Sequence, residues 1–216
     1  MSVAALILDF GEVLVHPQSA DTIARMAQLV HVSAEEFHKR YWSHRAAYDG
    51  GLAAADYWRR VLEGLDPAPD DLDPIVADLI AADYDSWTVY RPDVWEIARA
   101  FKAAGGRTAI LSNGVPEIMG RLQREQSLAE FFDAIVVSYE VGCAKPDPEI
   151  YTICLDRLQV PTASALFVDD RLENLEAASR MGIQTLHFTG DHSVEELRAR
   201  VGLTHDHRPD ASNAFG

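Results

Sequence analysis

The stretch "LILDFGEVL", residues 6–14, decides how this chain is read. Val3 to Leu8 form an apolar run of strand length. A strand buried on both faces of a parallel sheet is nearly all apolar. Asp9 closes the run at its carboxyl end, where open α/β sheets bind their ligands. Taken alone, such an acid fits either chemistry or the capping of a turn. The residue two places on is Gly11, not a second acid.

Outward from this stretch, the chain alternates from Pro92 onward. Val94, Ala98 and Phe101 share one face of a helix expected over 92–104, which Gly105 and Gly106 stop. Strands are expected at 108–112, 134–138, 165–170 and 183–188. Helices are expected at 116–126, 147–158, 172–182 and 193–201, the second with Asp147 as N-cap and Pro148 in first position. This alternation implies a Rossmann-like, doubly wound α/β fold with a parallel sheet.

Between about Asp21 and Trp87 no strand pattern occurs. Ile23, Ala27 and Val30 recur at helical spacing. Phe37, Tyr41 and Tyr48 mark a second helix, started by the capping box Ser33 and Glu36. Tyr57, Val61 and Leu65 mark a third, and Leu72, Ile75, Val76 and Leu79 a fourth. "YDGG", 48–51, punctuates the second and third. This block interrupts the alternation directly after the first strand, so it reads as an inserted cap over the sheet's carboxyl edge. The expected organisation is an α/β core of 1–15 plus 92–204, an all-helical cap of 16–91 and a flexible tail of 205–216.

Composition narrows the function classes. The 216 residues suffice for one core plus an insert. Nineteen Lys and Arg against 34 Asp and Glu give a net charge of −15, which argues against nucleic acid or an anionic membrane as partner. A small anionic substrate stays compatible, because a local pocket can oppose the global sign. Cys143 and Cys154 lack metal-ligand spacing and read as reduced thiols. No apolar stretch approaches the ~18 residues of a membrane span, and the first residues do not read as a signal peptide. A cytoplasmic protein, monomeric or homodimeric, is expected. "HDH", 205–207, reads as solvated tail, and "AAGGR", 103–107, precedes a strand and so is no dinucleotide fingerprint.

Four strand ends or following loops carry polar groups: Asp9, then Ser112-Asn113-Gly114, then Lys145, then Asp169-Asp170 with Asn174 a turn later. In a doubly wound sheet these converge on one crevice. Ser112-Asn113-Gly114 alone is ordinary turn chemistry, and Asp147-Pro148-Glu149 is a helix start; neither explains Lys145. Asp169 and Asp170 repel one another unless a cation or proton intervenes, and magnesium suits such a pair. Asn174 reads equally as an orienting hydrogen-bond partner or a surface residue. Together these are the parts of phosphoryl transfer: a nucleophile, a cation and donors for oxygens.

The set "LDFGEVL", "LSNG", "KPDPEIY" and "FVDDRLENLEAA" resembles the haloacid dehalogenase superfamily, in its phosphatase-like branch with an α-helical cap, over Val3 to about Gly202. The resemblance implies a magnesium-dependent phosphatase acting on a small phosphorylated substrate. Asp9 would be the nucleophile forming an aspartyl-phosphate and would ligate the metal with its other oxygen. Ser112 would hold a phosphate oxygen, helped by Asn113 and Gly114, and Lys145 would neutralise charge. Asp170 would be the main fourth-motif magnesium ligand, Asp169 a direct or water-mediated one, and the Gly11 carbonyl another. Arg45 is the cap residue expected to reach the substrate.

The family's phosphatases usually carry an aspartate where this chain has Gly11, as general acid and base. Loss of such an acid costs about 10² to 10⁴ in rate. Glu12, His16, Arg45 or Tyr48 could compensate, or the substrate could carry a leaving group that needs no proton, such as an acyl, aryl or anomeric sugar phosphate. The alternatives are a metal-independent 2-haloacid dehalogenase and a degraded phosphatase retained as a binding module.

Overall fold

The computed structural model describes residues 3–65, 72–125 and 127–203. The sequence expectations for 205–216, including the "HDH" stretch, lie outside these residues. Five parallel strands form one sheet: β1 (Ala5–Leu8), β2 (Arg107–Ser112), β3 (Ala134–Val137), β4 (Ala165–Asp169) and β5 (Gln184–His187). Their order is β3-β2-β1-β4-β5, so the chain reverses direction at β1, the central strand. Leu8 is level with Ile110 of β2 and Val168 of β4. Asp9 and Asp169, which follow directly, and Ser112, two places beyond Ile110, therefore emerge along one edge, the consequence of parallel register.

Alternation along β1 builds two apolar layers. Leu6 and Leu8 join a cluster with Val94, Ala98, Val194 and Leu197, from α6 (Pro92–Ala103) and α11 (His192–Arg200). Ala5 and Ile7 join another with Ile150, Cys154 and Ala178, from α9 (Pro148–Leu158) and α10 (Leu172–Arg180). Every residue of β1 is buried, as its unbroken apolar run requires.

After β1 the chain makes one wide turn, Phe10–Leu14, in which Gly11 (φ −63°, ψ 133°) and Glu12 (φ 57°, ψ −9°) leave helical geometry. It then enters five helices: α1 (Ala20–Leu29), α2 (Ala34–Ser43), α3 (Arg45–Asp49), α4 (Ala54–Leu62) and α5 (Leu72–Ser86). The two connections between this insert and the sheet run side by side. The His16 N–H donates to Val89 O at 2.7 Å and the Arg91 N–H to Leu14 O at 3.0 Å. Trp95 of α6 donates its indole N–H to the same Leu14 carbonyl at 2.8 Å. Inside the insert Phe37, Tyr41, Tyr48, Tyr57 and Trp58 are buried against one another.

Several boundaries differ from the sequence reading. The second expected helix is two, broken at His44. There the Ser43 hydroxyl donates back to Arg40 O at 2.7 Å, a local bond that competes with helix continuation. Leu65 lies beyond the end of α4. The third strand stops at Val137, because Ser138 opens a one-turn helix, α8 (Ser138–Val141), which Gly142 ends in the left-handed region. The remaining helix, α7 (Pro116–Glu125), follows β2. Asp170 falls just outside β4.

Candidate active site

The centre of the sheet's carboxyl edge holds a buried ion triad. Lys145 Nζ lies 2.8 Å from Asp9 Oδ1 and 2.7 Å from Asp169 Oδ2. Asp9 Oδ1 also accepts from the Phe10 N–H at 2.7 Å. Among the described residues nothing donates to its other oxygen, and Asp9 lines the cavity in front of the sheet. Lys145 is anchored from behind by Asn113, whose amide donates to the Lys145 carbonyl and accepts from the Lys145 N–H, both at 2.8 Å. Asn113 and Lys145, from different loops, are thereby locked together.

Asp169 is enclosed by donors. The Arg171 N–H reaches Oδ1 at 2.8 Å, and the Asn174 amide reaches the two oxygens at 3.0 and 3.1 Å. Asn174 is thus a support for Asp169, held in turn by Tyr151, whose hydroxyl donates to the Asn174 carbonyl at 2.9 Å. Asp170 faces the cavity, and its carbonyl meets His187 Nε2 at 2.9 Å.

Asp9, Asp169 and Asp170 each present a carboxylate oxygen within 4.8 Å of the others. Three acids face one lysine, and burial makes this excess costly. Burial pushes the Asp9 carboxyl up to about 8; Lys145 opposes, while Asp169 and Asp170 add to the rise. Burial pushes Asp170 up to about 6, with Asp169 and then Glu12 contributing. Burial also acts to lower Lys145, but Asp169 and Asp9 outweigh it and hold the ammonium charged. Oxygen-only donors and unbalanced negative charge are what a hard divalent cation such as magnesium requires, so the residues present fit that ion.

Gly11 has an ordinary backbone conformation. Glycine is not demanded by φ there. A Cβ on it would meet Trp87 Cζ3, from the end of the insert, at 3.5 Å. The indole edge would therefore touch, without blocking, a side chain at this position. Glu12, at φ 57°, lines the cavity near Asp170. A positive φ is uncommon outside glycine. His16 is engaged through its backbone in the connection to the insert and does not line the cavity. Neither does Tyr48, whose hydroxyl donates to Glu117 of α7 at 3.1 Å.

The insert supplies the opposite wall: Trp42, Arg45, Asp49 and Trp87. Arg45 Nε donates to Asp49 Oδ1 at 2.8 Å, and Nη1 lies 4.0 Å from Asp83 Oδ2. Nη1 also makes a short hydrogen bond to the Tyr41 hydroxyl. Tyr41 in turn donates to Asp83 at 2.8 Å and accepts from the Trp87 indole N–H at 3.0 Å. Tyr41, Trp42, Tyr48 and Trp87 surround the guanidinium at 5.2 to 5.8 Å.

The structure thus brings Asp9, Gly11, Ser112, Asn113, Gly114, Lys145, Asp170 and Arg45 to one cavity, with Asp169 directly behind it. Sequence reasoning missed Trp87 and Asp49. Asp49 had a signal, since it stands four residues after Arg45, the spacing of a helical ion pair. Trp87 had none, because its place over Gly11 is set by how the insert folds back.

The chain belongs to the family of haloacid dehalogenase-like hydrolases, whose profile matches residues 3–182. It is 30% identical over 146 residues to (S)-2-haloacid dehalogenase 1 of Pseudomonas sp., covering 66% of this chain and 64% of that protein. It is 33% identical over 115 residues to a sesquiterpene phosphatase of Aspergillus oryzae, covering 52% and 59%. The match spans less than two thirds of the length of either relative. In fold it is similar to a HAD family enzyme of Bacteroides thetaiotaomicron solved in complex with magnesium and inorganic phosphate. The TM-score is 0.68 at 16% identity, covering 89% of this chain and 98% of that one. No described helix is long and apolar enough to cross a membrane.

Proposed function

We propose that this chain is a magnesium-dependent phosphatase that acts on a small phosphorylated metabolite through an aspartyl-phosphate on Asp9. One observation carries the reading: Asp9, Asp169 and Asp170 converge within 4.8 Å beside Lys145. A metal-independent carboxylate nucleophile needs no such excess of clustered acids.

Asp9, Asp170 and the Gly11 carbonyl would hold magnesium, with Asp169 contributing charge from behind because its own oxygens are occupied. Bound magnesium supplies charge neutralisation for the phosphoryl oxygens. Lys145 and the Phe10 N–H fix one oxygen of Asp9, which leaves the second for attack on phosphorus. Ser112 and the backbone at Asn113 and Gly114 receive the phosphoryl oxygens. The P–O bond to the leaving group breaks as the Asp9–P bond forms, and water then cleaves the aspartyl-phosphate to release phosphate and restore the carboxylate. Gly11 has no side chain to protonate the leaving group. This favours a substrate whose leaving group is stable without immediate protonation: an acyl, aryl or anomeric sugar phosphate.

The similarity to a haloacid dehalogenase favours a second reading, attack of Asp9 on a halogen-bearing carbon. Phosphate and halide release, each measured with magnesium and with chelator on wild type and Asp9→Asn, separate the two. We expect magnesium-dependent phosphate release that Asp9→Asn lowers at least 10³-fold, on the order of a lost nucleophile. Metal-independent release of halide from 2-haloacids, without phosphate release, would overturn the proposal. Phosphate-ester binding without turnover of any ester would point to a binding module.

A further inference from the structure

We infer that the Arg45–Asp49 pair selects substrates whose leaving group is neutral and hydroxyl-bearing, and that it refuses a second anionic group. This rests on the phosphatase reading above and deepens it. A lone arginine in a cavity wall ordinarily invites an anion. Arg45 is already committed. It pairs with Asp49 at 2.8 Å and faces Asp83 at 4.0 Å. One positive charge meets two carboxylates, in a wall where Arg45 and Asp83 are both buried.

A substrate carboxylate aimed at Arg45 would meet a guanidinium whose charge Asp49 and Asp83 already balance. It would bring a third negative charge to a largely buried cluster, which is unfavourable. A hydroxyl meets the opposite situation, since it is neutral and can both donate and accept. Among the described residues, nothing donates to Asp49 Oδ2, so that oxygen can accept from a hydroxyl. Asp49 is held in place independently, because Ser138 Oγ donates to its carbonyl at 2.5 Å across the cleft. Trp42, 42% exposed, and Trp87 line the same cavity. They offer the flat apolar faces against which the C–H face of a ring packs, in the usual manner of pockets with an aromatic lining and few polar groups.

The test compares two substrates that differ at one group: a hexose 1-phosphate and the corresponding hexuronic acid 1-phosphate, whose terminal CH₂OH is a carboxylate. The readout is the ratio of their kcat/KM values, which does not depend on how much of a variant is folded. p-Nitrophenyl phosphate reports turnover separately. For wild type the hexose phosphate is expected to be preferred at least tenfold. For Asp49→Asn, which leaves Arg45 with one fewer anion, the ratio is expected to fall at least fivefold toward the uronic acid. Asp49→Glu keeps the charge and is expected to keep the preference. A wild type that prefers the uronic acid, or a ratio unmoved by Asp49→Asn, overturns this inference while p-nitrophenyl phosphate turnover leaves the phosphatase reading standing. Absence of turnover on every phosphate ester overturns both.

Discussion

Gly11 is the residue on which the choice of leaving group turns. Its φ of −63° and ψ of 133° are open to any amino acid, and the contact awaiting a Cβ is an ordinary 3.5 Å from Trp87. Gly11→Ala is therefore expected to stabilise the fold by about 0.4–1 kcal/mol, through reduced freedom of the unfolded chain, as read by urea denaturation. A net loss of stability would mean that Trp87 cannot accommodate the methyl. Gly11→Asp adds a carboxyl beside Asp9. If leaving-group protonation is what this site lacks, that variant raises turnover of alkyl phosphates relative to aryl phosphates, and Gly11→Asn does not. Equal wild-type rates for esters of acidic phenols and simple alcohols would show that another group already donates the proton.

Lys145 poses a problem of stability at the same scale. Lys145→Met removes the one cation between Asp9 and Asp169, both buried. Breaking a buried pair from one side costs about 3–5 kcal/mol, so a large drop in Tm is expected at neutral pH. The drop should grow as pH rises above 8, where Asp9 ionises in the wild type but, without Lys145 to lower its pKa, stays protonated in the folded variant. A loss that is independent of pH would place its cause in packing instead.

Among the elements, the paired connections between sheet and insert hold the two walls of the cavity in register. The Leu14 carbonyl there accepts from both the Arg91 N–H and the Trp95 indole. Trp95→Phe keeps an aromatic ring against Tyr90, Phe131 and Phe132 but removes one of those bonds. Its expected cost is about 1–2 kcal/mol, a net hydrogen bond plus some lost packing, measured by urea denaturation. The helices themselves are largely local: Ser33 caps α2 by accepting from the Glu36 N–H, and Asp147 caps α9 by accepting from the Glu149 N–H. Such starts are readable because cap and partner are neighbours in sequence. The short helix at Ser138 was not, since the Ser138 hydroxyl answers to Asp49, remote in the chain.

For the molecule as a whole, the buried acids set how stability depends on pH. Asp9 and Asp170 have folded pKa values of about 8 and about 6, above the usual 3.8; burial raises Asp49 and Asp83 as well. A raised acid stabilises the fold below its unfolded pKa, and that contribution is lost as pH rises through the folded value. Lys145, raised, loses its contribution only above its usual 10.5, and Asp133 and Asp191, lowered, act below 3.8. Without divalent metal, Tm should therefore fall as pH rises from 5 to 8. Magnesium should raise Tm more at pH 8 than at pH 5, because it binds the ionised acids of the folded state. An equal or smaller rise at pH 8 would remove the metal from the cluster.

The sequence alone determined the α/β alternation, the helical character of residues 20–62 and 72–86, and the polar positions at or after four strands, Asp9, Ser112, Lys145 and Asp169-Asp170. Each of these is written in short-range periodicity or in the residue that closes an apolar run, and the parallel register then brings strand ends together. Only the tertiary structure decided that Asn113 locks Lys145, that Trp87 contacts Gly11 and that Asp83 joins Asp49 beside Arg45. Those contacts join segments far apart in the chain. Their partners are fixed by tertiary packing, which no local pattern encodes.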